Sequence, residues 1–95
     1  MRAYELMYIL SPNLEEEAIA DLVARFEGII TSGGGEIEKT EQLGKRRLAY
    51  EIQGYQEGFY VLTNFKSPVE TAQELDRIIK ITDNVLRYLI IKIEE

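Results

Sequence analysis

The protein is a chain of 95 residues with a net charge of −6 and with neither cysteine nor histidine. This composition excludes a disulfide scaffold, a thiolate metal centre and the usual zinc and haem ligands. At this length we expect one small domain that spans residues 1–95. No uninterrupted apolar run approaches the ~20 residues of a membrane span, and Met1–Glu5 does not have the layout of a secretion signal, so we expect a cytoplasmic protein with no membrane partner.

The first predicted elements are a strand and a helix. Alternation over residues 3–10 predicts a strand. Asn13 is the expected N-cap, with Glu16 completing a capping box, and apolar residues every three to four positions through Ile30 predict a helix of about four turns. Ser32–Gly35 ends the helix, because glycine provides a left-handed cap. The side chains expected to face inward from the strand are Tyr4, Leu6, Tyr8 and Leu10.

Two further strands are expected in the middle of the chain. Residues 36–52 predict a long second strand, in which Gly44 suggests a bulge or bend near Gln42 and Leu43. The glycines of residues 54–58 predict a hairpin loop. Residues 59–66 predict a third strand that is apolar on both sides.

The last predicted elements are a second helix and a fourth strand. Ser67 is the expected N-cap of this helix and Pro68 its first residue. Its buried side is predicted to contain Ala72, Leu75, Ile78 and Ile79. After a turn at residues 82–84, residues 85–93 predict the last strand, with Tyr88 and Ile90 inward.

The order of the predicted elements, β-α-β-β-α-β, defines the expected fold class. Two right-handed β-α-β crossovers on one sheet give an α+β, ferredoxin-like split β-α-β sandwich. We therefore expect a four-stranded antiparallel sheet of order 4-1-3-2 with both helices on one face. The opposite face would then expose Met7, Ile9, Leu89 and Ile91, a pattern that is typical of an interaction surface.

A cluster of cations stands out in this acidic chain. Lys45, Arg46 and Arg47 are consecutive and lie on the second predicted strand. Arginine offers a planar fork of donors that matches phosphate oxygens, so such a cluster can grip nucleic acid. Alternation places Arg46, Leu48, Tyr50 and Ile52 on one side, and we expect the last three to face the core.

Most other functions lack the residues that they need. The first strand–helix turn, Ser11–Asn13, has no cation to hold a phosphate as small acylphosphatases of this fold do, and metal carriers of this fold need a cysteine pair. The third strand lacks the basic-aromatic pattern of the common RNA-recognition motif, although Tyr60 could stack on a base. We expect no catalytic site, metal, cofactor or small-molecule substrate. A ligand-sensing or regulatory ferredoxin-like dimer stays possible as an alternative.

At Gly44–Ile52 the sequence resembles the bacterial small-subunit ribosomal protein six family. The family hallmark is a glycine, a basic pair, Leu-Ala-Tyr and then Ile one residue further on, and all of it is present here. The similarity extends to Met1–Glu5, Gly58–Tyr60 and Asp83–Val85. The resemblance implies a structural, non-enzymatic part in the 30S subunit, with binding to the central domain of 16S ribosomal RNA together with small-subunit ribosomal protein eighteen.

The same resemblance implies two sets of site residues. Cations would face RNA phosphates, and apolar or aromatic residues near the second strand would contact the partner protein. The candidate RNA-binding residues are Arg2, Lys45, Arg46, Arg47, Lys80, Arg87 and Lys92. The candidate partner-binding residues are Leu48, Tyr50, Tyr60, Leu89 and Ile91.

Overall fold

The computed structural model describes residues 1–93 and contains four strands and two helices within them. The strands form one antiparallel sheet of order β2-β3-β1-β4, which confirms the predicted fold class. The elements are β1 (Arg2–Leu10), α1 (Glu16–Ser32), β2 (Glu36–Ile52), β3 (Tyr55–Ser67), α2 (Val69–Lys80) and β4 (Val85–Ile93).

The main core lies between the two helices and one face of the sheet, here called the helix face. The inward residues predicted for β1 are all buried there. Leu6 and Leu10 are fully buried, and the ring of Tyr8 packs edge-on against Phe26 with 5.1 Å between centroids. Helix α2 contributes Ala72, Leu75 and Ile79, as predicted, whereas Ile78 is only half-buried.

The other face of the sheet, here called the open face, has no helix over it. Side chains of paired residues in antiparallel strands point to the same face, so the register assigns each position. The pairs of Ile9 with Tyr60 and of Met7 with both Leu62 and Leu89 lie on the open face. The apolar open face expected from the sequence is therefore present.

Both helices begin later than predicted. Helix α1 begins at Glu16 after Glu15, and no side chain caps it; the backbone N–H of Asn13 instead donates to Ser11 Oγ at 3.4 Å. Ser67 belongs to β3, where it is buried, and its hydroxyl donates to the carbonyl of Pro68 at 2.9 Å. The capping box predicted for Asn13 and Glu16 therefore does not form, and Ser67 does not cap α2.

Helix α1 ends as the glycines predict. Gly34 has φ +87°, the N–H of Gly35 donates to the carbonyl of Ile30 at 2.8 Å, and that of Gly34 to Thr31 at 3.2 Å. These two bonds are the Schellman arrangement, which requires a left-handed residue at this position.

The hairpin between β2 and β3 is tighter than expected. The loop predicted at residues 54–58 is wrong, because Tyr55 pairs with Ile52 and already belongs to β3. The turn consists of Gln53 and Gly54 alone, with φ 51° and 85°. Two successive positive φ angles are characteristic of a type I′ turn, whose twist matches the flanking strands.

Candidate nucleic-acid interface

The three consecutive cations follow a bulge in β2. Gln42 pairs with Val61 and Gly44 with Tyr60, so Leu43 is an extra residue without a partner. Gly44 adopts φ +87°, which only glycine adopts at little cost. The bend suggested by Gly44 in the sequence is therefore confirmed.

The register beyond this bulge divides the cations between the two faces. Lys45 pairs with Phe59 and Arg47 with Glu57, on the helix side of the hairpin. Arg46 pairs with Gly58 on the open side. All three cations are exposed, so the strand presents positive charge in two directions from a hydrogen-bonded element.

Beyond Arg47 the β2 strand leaves its partner and turns over the open face. Residues 48–51 lie opposite Gln56 alone, before pairing resumes between Ile52 and Tyr55. This irregularity, the third in β2 after those at Glu38 and Leu43, brings Leu48 against Ile9 and Leu86, and the three form a small second cluster. Ile52, Tyr55 and Tyr60 pack partly buried around it.

The prediction that Leu48, Tyr50 and Ile52 face the main core is therefore wrong. Leu48 is 8% exposed and Ile52 half-buried, but both belong to the second cluster. Tyr50 remains 58% exposed. Alternation correctly grouped the three residues with Arg46. It could not reveal which face of the sheet this group occupies, because β2 contains three irregularities.

Gly58 makes this packing possible, a role that the sequence analysis missed. A Cβ atom at Gly58 would collide with the side chain of Ile9 and would lie 3.4 Å from Leu48 Cδ2. The open face therefore has a recess at Gly58 that Ile9 fills. The available signal was a glycine inside an otherwise aromatic strand, which often marks a close approach.

Arg87 connects the hairpin to the far edge of the sheet. Its guanidinium carbon lies 5.4 Å from the centroid of the Tyr50 ring, and its Nη1 donates to the Tyr50 hydroxyl. Strands β2 and β4 are the two edges of the sheet, with β3 and β1 between them. The contact forms because residues 48–51 turn across the open face.

The local electrostatics leave the hairpin weakly positive, because Lys45, Arg46 and Arg47 outnumber its acids Glu51 and Glu57. Within residues 1–93 the carboxylates that form ion pairs lie elsewhere, in Lys39–Glu41, Arg77–Glu74 and Lys80–Asp76. None of these described pairs involves the consecutive cations of β2. The acidic residues at the start of α1 lie in the helix layer, so the negative net charge does not describe the hairpin surface.

The remaining predicted RNA-binding cations do not join this group. Arg2 pairs with Ser67 at the opposite end of the sheet, nine residues along β3 from Gly58. At ~3.3 Å per residue this separation is about 30 Å. Lys92 pairs with Tyr4 near that same end. Lys80 is the last residue of α2, in the helix layer, and its Nζ lies 3.9 Å from Asp76 Oδ2.

The predicted partner-binding residues share the open face but differ in accessibility. Leu89 and Ile91 of β4 are 51% and 46% exposed, whereas Leu48 is buried and Tyr60 half-buried in the second cluster. An open groove of about 360 Å³ lies beside them and is lined by Met7, Ile9, Arg87, Tyr88 and Leu89. The groove borders the Arg87–Tyr50 contact.

Other kinds of site find no support in the described part of the chain. Among residues 1–93, acidic side chains nowhere converge in a group of three that could ligate a metal ion. No helix in this range has the length and hydropathy needed to cross a membrane. The described chain is a small antiparallel scaffold with a basic hairpin and an apolar open face, the features of a binding protein.

Comparison with known proteins identifies the family. The family model for ribosomal protein S6 matches residues 3–92. The chain is 56% identical over its whole length to the small ribosomal subunit protein bS6 of Halalkalibacterium halodurans, of which it covers 100%. It is 55% identical to bS6 of Thermoanaerobacter pseudethanolicus, with full coverage of both chains.

A solved structure agrees with these matches. The crystal structure of 30S ribosomal protein S6 from Thermotoga maritima superposes with a TM-score of 0.92 at 35% identity, covering 97% of this chain and 87% of that one. The chain belongs to the ribosomal protein S6 family. Membership confirms the predicted family, a structural rather than enzymatic role and a place on the ribosome, and it favours this role over the regulatory dimer.

Proposed function

We propose that the protein binds the central domain of 16S ribosomal RNA in the small subunit, together with small-subunit ribosomal protein eighteen. Lys45, Arg46 and Arg47 are the proposed phosphate contacts of the hairpin. Arg2, about 30 Å away, and Lys92, near the same end of the sheet, would form a separate contact with the RNA backbone. Lys80 is the weakest candidate, because Asp76 lies beside it.

The observation that carries this proposal is the position of the hairpin cations. They project from a strand whose far end is fixed by the buried Leu48, and none of the described ion pairs involves them. A phosphate contact from a fixed strand costs less side-chain and backbone entropy than one from a mobile tail. Arginine also matches phosphate geometry with two parallel donors.

The partner protein would occupy a separate surface. The outer edge of β2 has no neighbouring strand within the described chain, and Leu89 and Ile91 leave apolar area on the open face. Tyr50 lies between these regions on the surface. A basic partner on this acidic protein would supply part of the positive charge that RNA binding needs.

A double charge reversal tests the RNA contact. We expect Arg46→Glu with Arg47→Glu to weaken binding to a central-domain RNA fragment carrying protein eighteen by about a hundredfold, or about 3 kcal/mol. The slope of log affinity against log salt should decrease by about two, since each lost phosphate contact removes about one unit. Filter binding at several salt concentrations measures both quantities.

A matched control separates the position of the charges from their number. Arg25→Glu with Arg77→Glu makes the same change in net charge on exposed positions of the two helices. We expect this control to retain nearly all of its RNA affinity. If both double variants bound equally well, or equally badly, the hairpin would not be the RNA contact.

A further inference from the structure

We propose that Arg87 is a positioning residue for the basic hairpin and that it acts through Tyr50 instead of contacting RNA itself. This inference rests on the proposed function, since the hairpin matters here as the holder of the phosphate contacts. The juxtaposition that carries it is the Arg87 guanidinium, which lies over the Tyr50 ring and donates to its hydroxyl.

The contact joins parts of the sheet that the topology separates. Tyr50 lies on edge strand β2 and Arg87 on edge strand β4, and two strands run between them. Neighbouring strands are ~4.8 Å apart, so the two edges are about 14 Å from each other in a regular sheet. Only the turn of residues 48–51 over the open face closes this distance.

The consecutive cations lie immediately before this turn. On one side, β3 holds them by regular pairing at Lys45, Arg46 and Arg47. On the other side, the segment depends on Leu48, which packs against Ile9, and on Tyr50, which contacts Arg87. Loss of the Arg87–Tyr50 contact would let residues 48–51 separate from the open face. The side chains of the adjoining cations would then point in a different direction.

The geometry also limits what else Arg87 can do. Its guanidinium carbon lies 5.4 Å from the Tyr50 ring centroid, and Nη1 is engaged by the hydroxyl. A guanidinium held both by a hydrogen bond and by attraction to an aromatic ring has fewer orientations open to it. The Tyr50 hydroxyl is likewise engaged, although the residue remains more than half exposed.

Binding measurements with two single variants and their combination test the proposal. In the complex with the RNA fragment and protein eighteen, we expect Arg87→Gln and Tyr50→Leu each to reduce affinity about fivefold, the strength of an exposed cation–π contact. The double variant should lose little more affinity than either single variant, because both substitutions remove the same Arg87–Tyr50 contact. Arg87→Gln should leave the salt slope unchanged.

A direct phosphate contact would give the opposite pattern. Arg87→Gln would then lower the salt slope by about one unit, and the losses in the double variant would multiply. Either result would overturn the proposal. Arg25→Gln, an exposed cation on α1, is the control for removing one charge, and Tyr50→Phe, which keeps the ring, should lose less affinity than Tyr50→Leu.

Hydrogen exchange of the free protein tests the Arg87–Tyr50 contact independently of RNA. Amides at the pairs that flank this segment, Arg47 with Glu57 and Ile52 with Tyr55, should exchange several-fold faster in Arg87→Gln and Tyr50→Leu, while amides of β1 keep their protection. Unchanged exchange would refute a positioning role of the Arg87–Tyr50 contact even if RNA affinity fell. If exchange does change but the Arg46 and Arg47 reversals do not affect RNA binding, the proposed function fails while the Arg87–Tyr50 contact stands.

Discussion

At Gly58 the chain has no room for even one more carbon. We expect Gly58→Ala to destabilise the protein by ~1–3 kcal/mol, because the new methyl group must displace Ile9 from the second cluster. Gly28 is the matched control: a Cβ there meets nothing within 4 Å, and alanine inside a helix should gain ~0.5–1 kcal/mol. Urea unfolding of both variants gives the comparison, and effects of the same sign would contradict it.

The buried phenol of Tyr8 makes the stability of the fold depend on pH in the alkaline range. Burial, and secondly the negative charge of Glu27, raise the pKa of the Tyr8 phenol above its usual value. The unfolded chain therefore releases this proton first, so the stabilisation is complete below pH ~10 and is lost as the pH rises further.

We expect the free energy of unfolding to fall above pH ~10 with a slope approaching ~1.4 kcal/mol per pH unit from this residue. Tyr8→Phe should flatten the curve, since it removes the titrating group while keeping the ring against Phe26. Urea titrations between pH 8 and about 11 measure the slope. An equally steep fall in Tyr8→Phe would show that another group is responsible.

At the scale of the elements, sequence patterns predicted the strands and helices but not their irregularities. The alternation in β1 gave the correct inward face because that strand pairs regularly with β3. In β2 the pattern grouped Arg46 with Leu48 and Tyr50 correctly, yet their face depends on unpaired residues at Leu43 and after Arg47. Such residues leave only a weak trace in the sequence, a glycine at position 44.

The type I′ turn offers an element-scale prediction. Gln53 must hold a positive φ, which asparagine adopts more readily, and Asn-Gly is the preferred pair in this turn. We expect Gln53→Asn to stabilise the protein by ~0.5–1 kcal/mol and to slow amide exchange at the hairpin tip. Gln56→Asn, on β3 opposite the irregular segment, should bring no gain. A longer loop would respond equally to both changes.

At the scale of the whole molecule, the fold separates charges that the sequence lists together. The acidic first turn of α1 lies in the helix layer, while the basic hairpin extends from the sheet. A net charge of −6 disfavours nucleic acid overall, and the fold explains how such a chain can still present cations to it. The division of the predicted cations between two ends of the sheet required the three-dimensional register.

The same separation limits what the protein should do alone. We expect the isolated protein to bind the central-domain RNA only weakly at physiological salt, because a few cations act against the field of the whole molecule. Adding protein eighteen should raise the affinity substantially. Filter binding with and without that protein measures the difference, and a sub-micromolar complex with bare RNA would contradict the expectation.

The unpaired Leu43 has a consequence for every position that follows it. If a bulky side chain at Gly44 refused its positive φ and the strand straightened without losing a residue, pairing would slip by one place. Leu48 would lose its contact with Ile9. Lys45 and Arg47 would then face the side of the sheet that Arg46 faces now. The same three cations would then present a reversed surface, so the number of residues at this point matters as much as their chemistry.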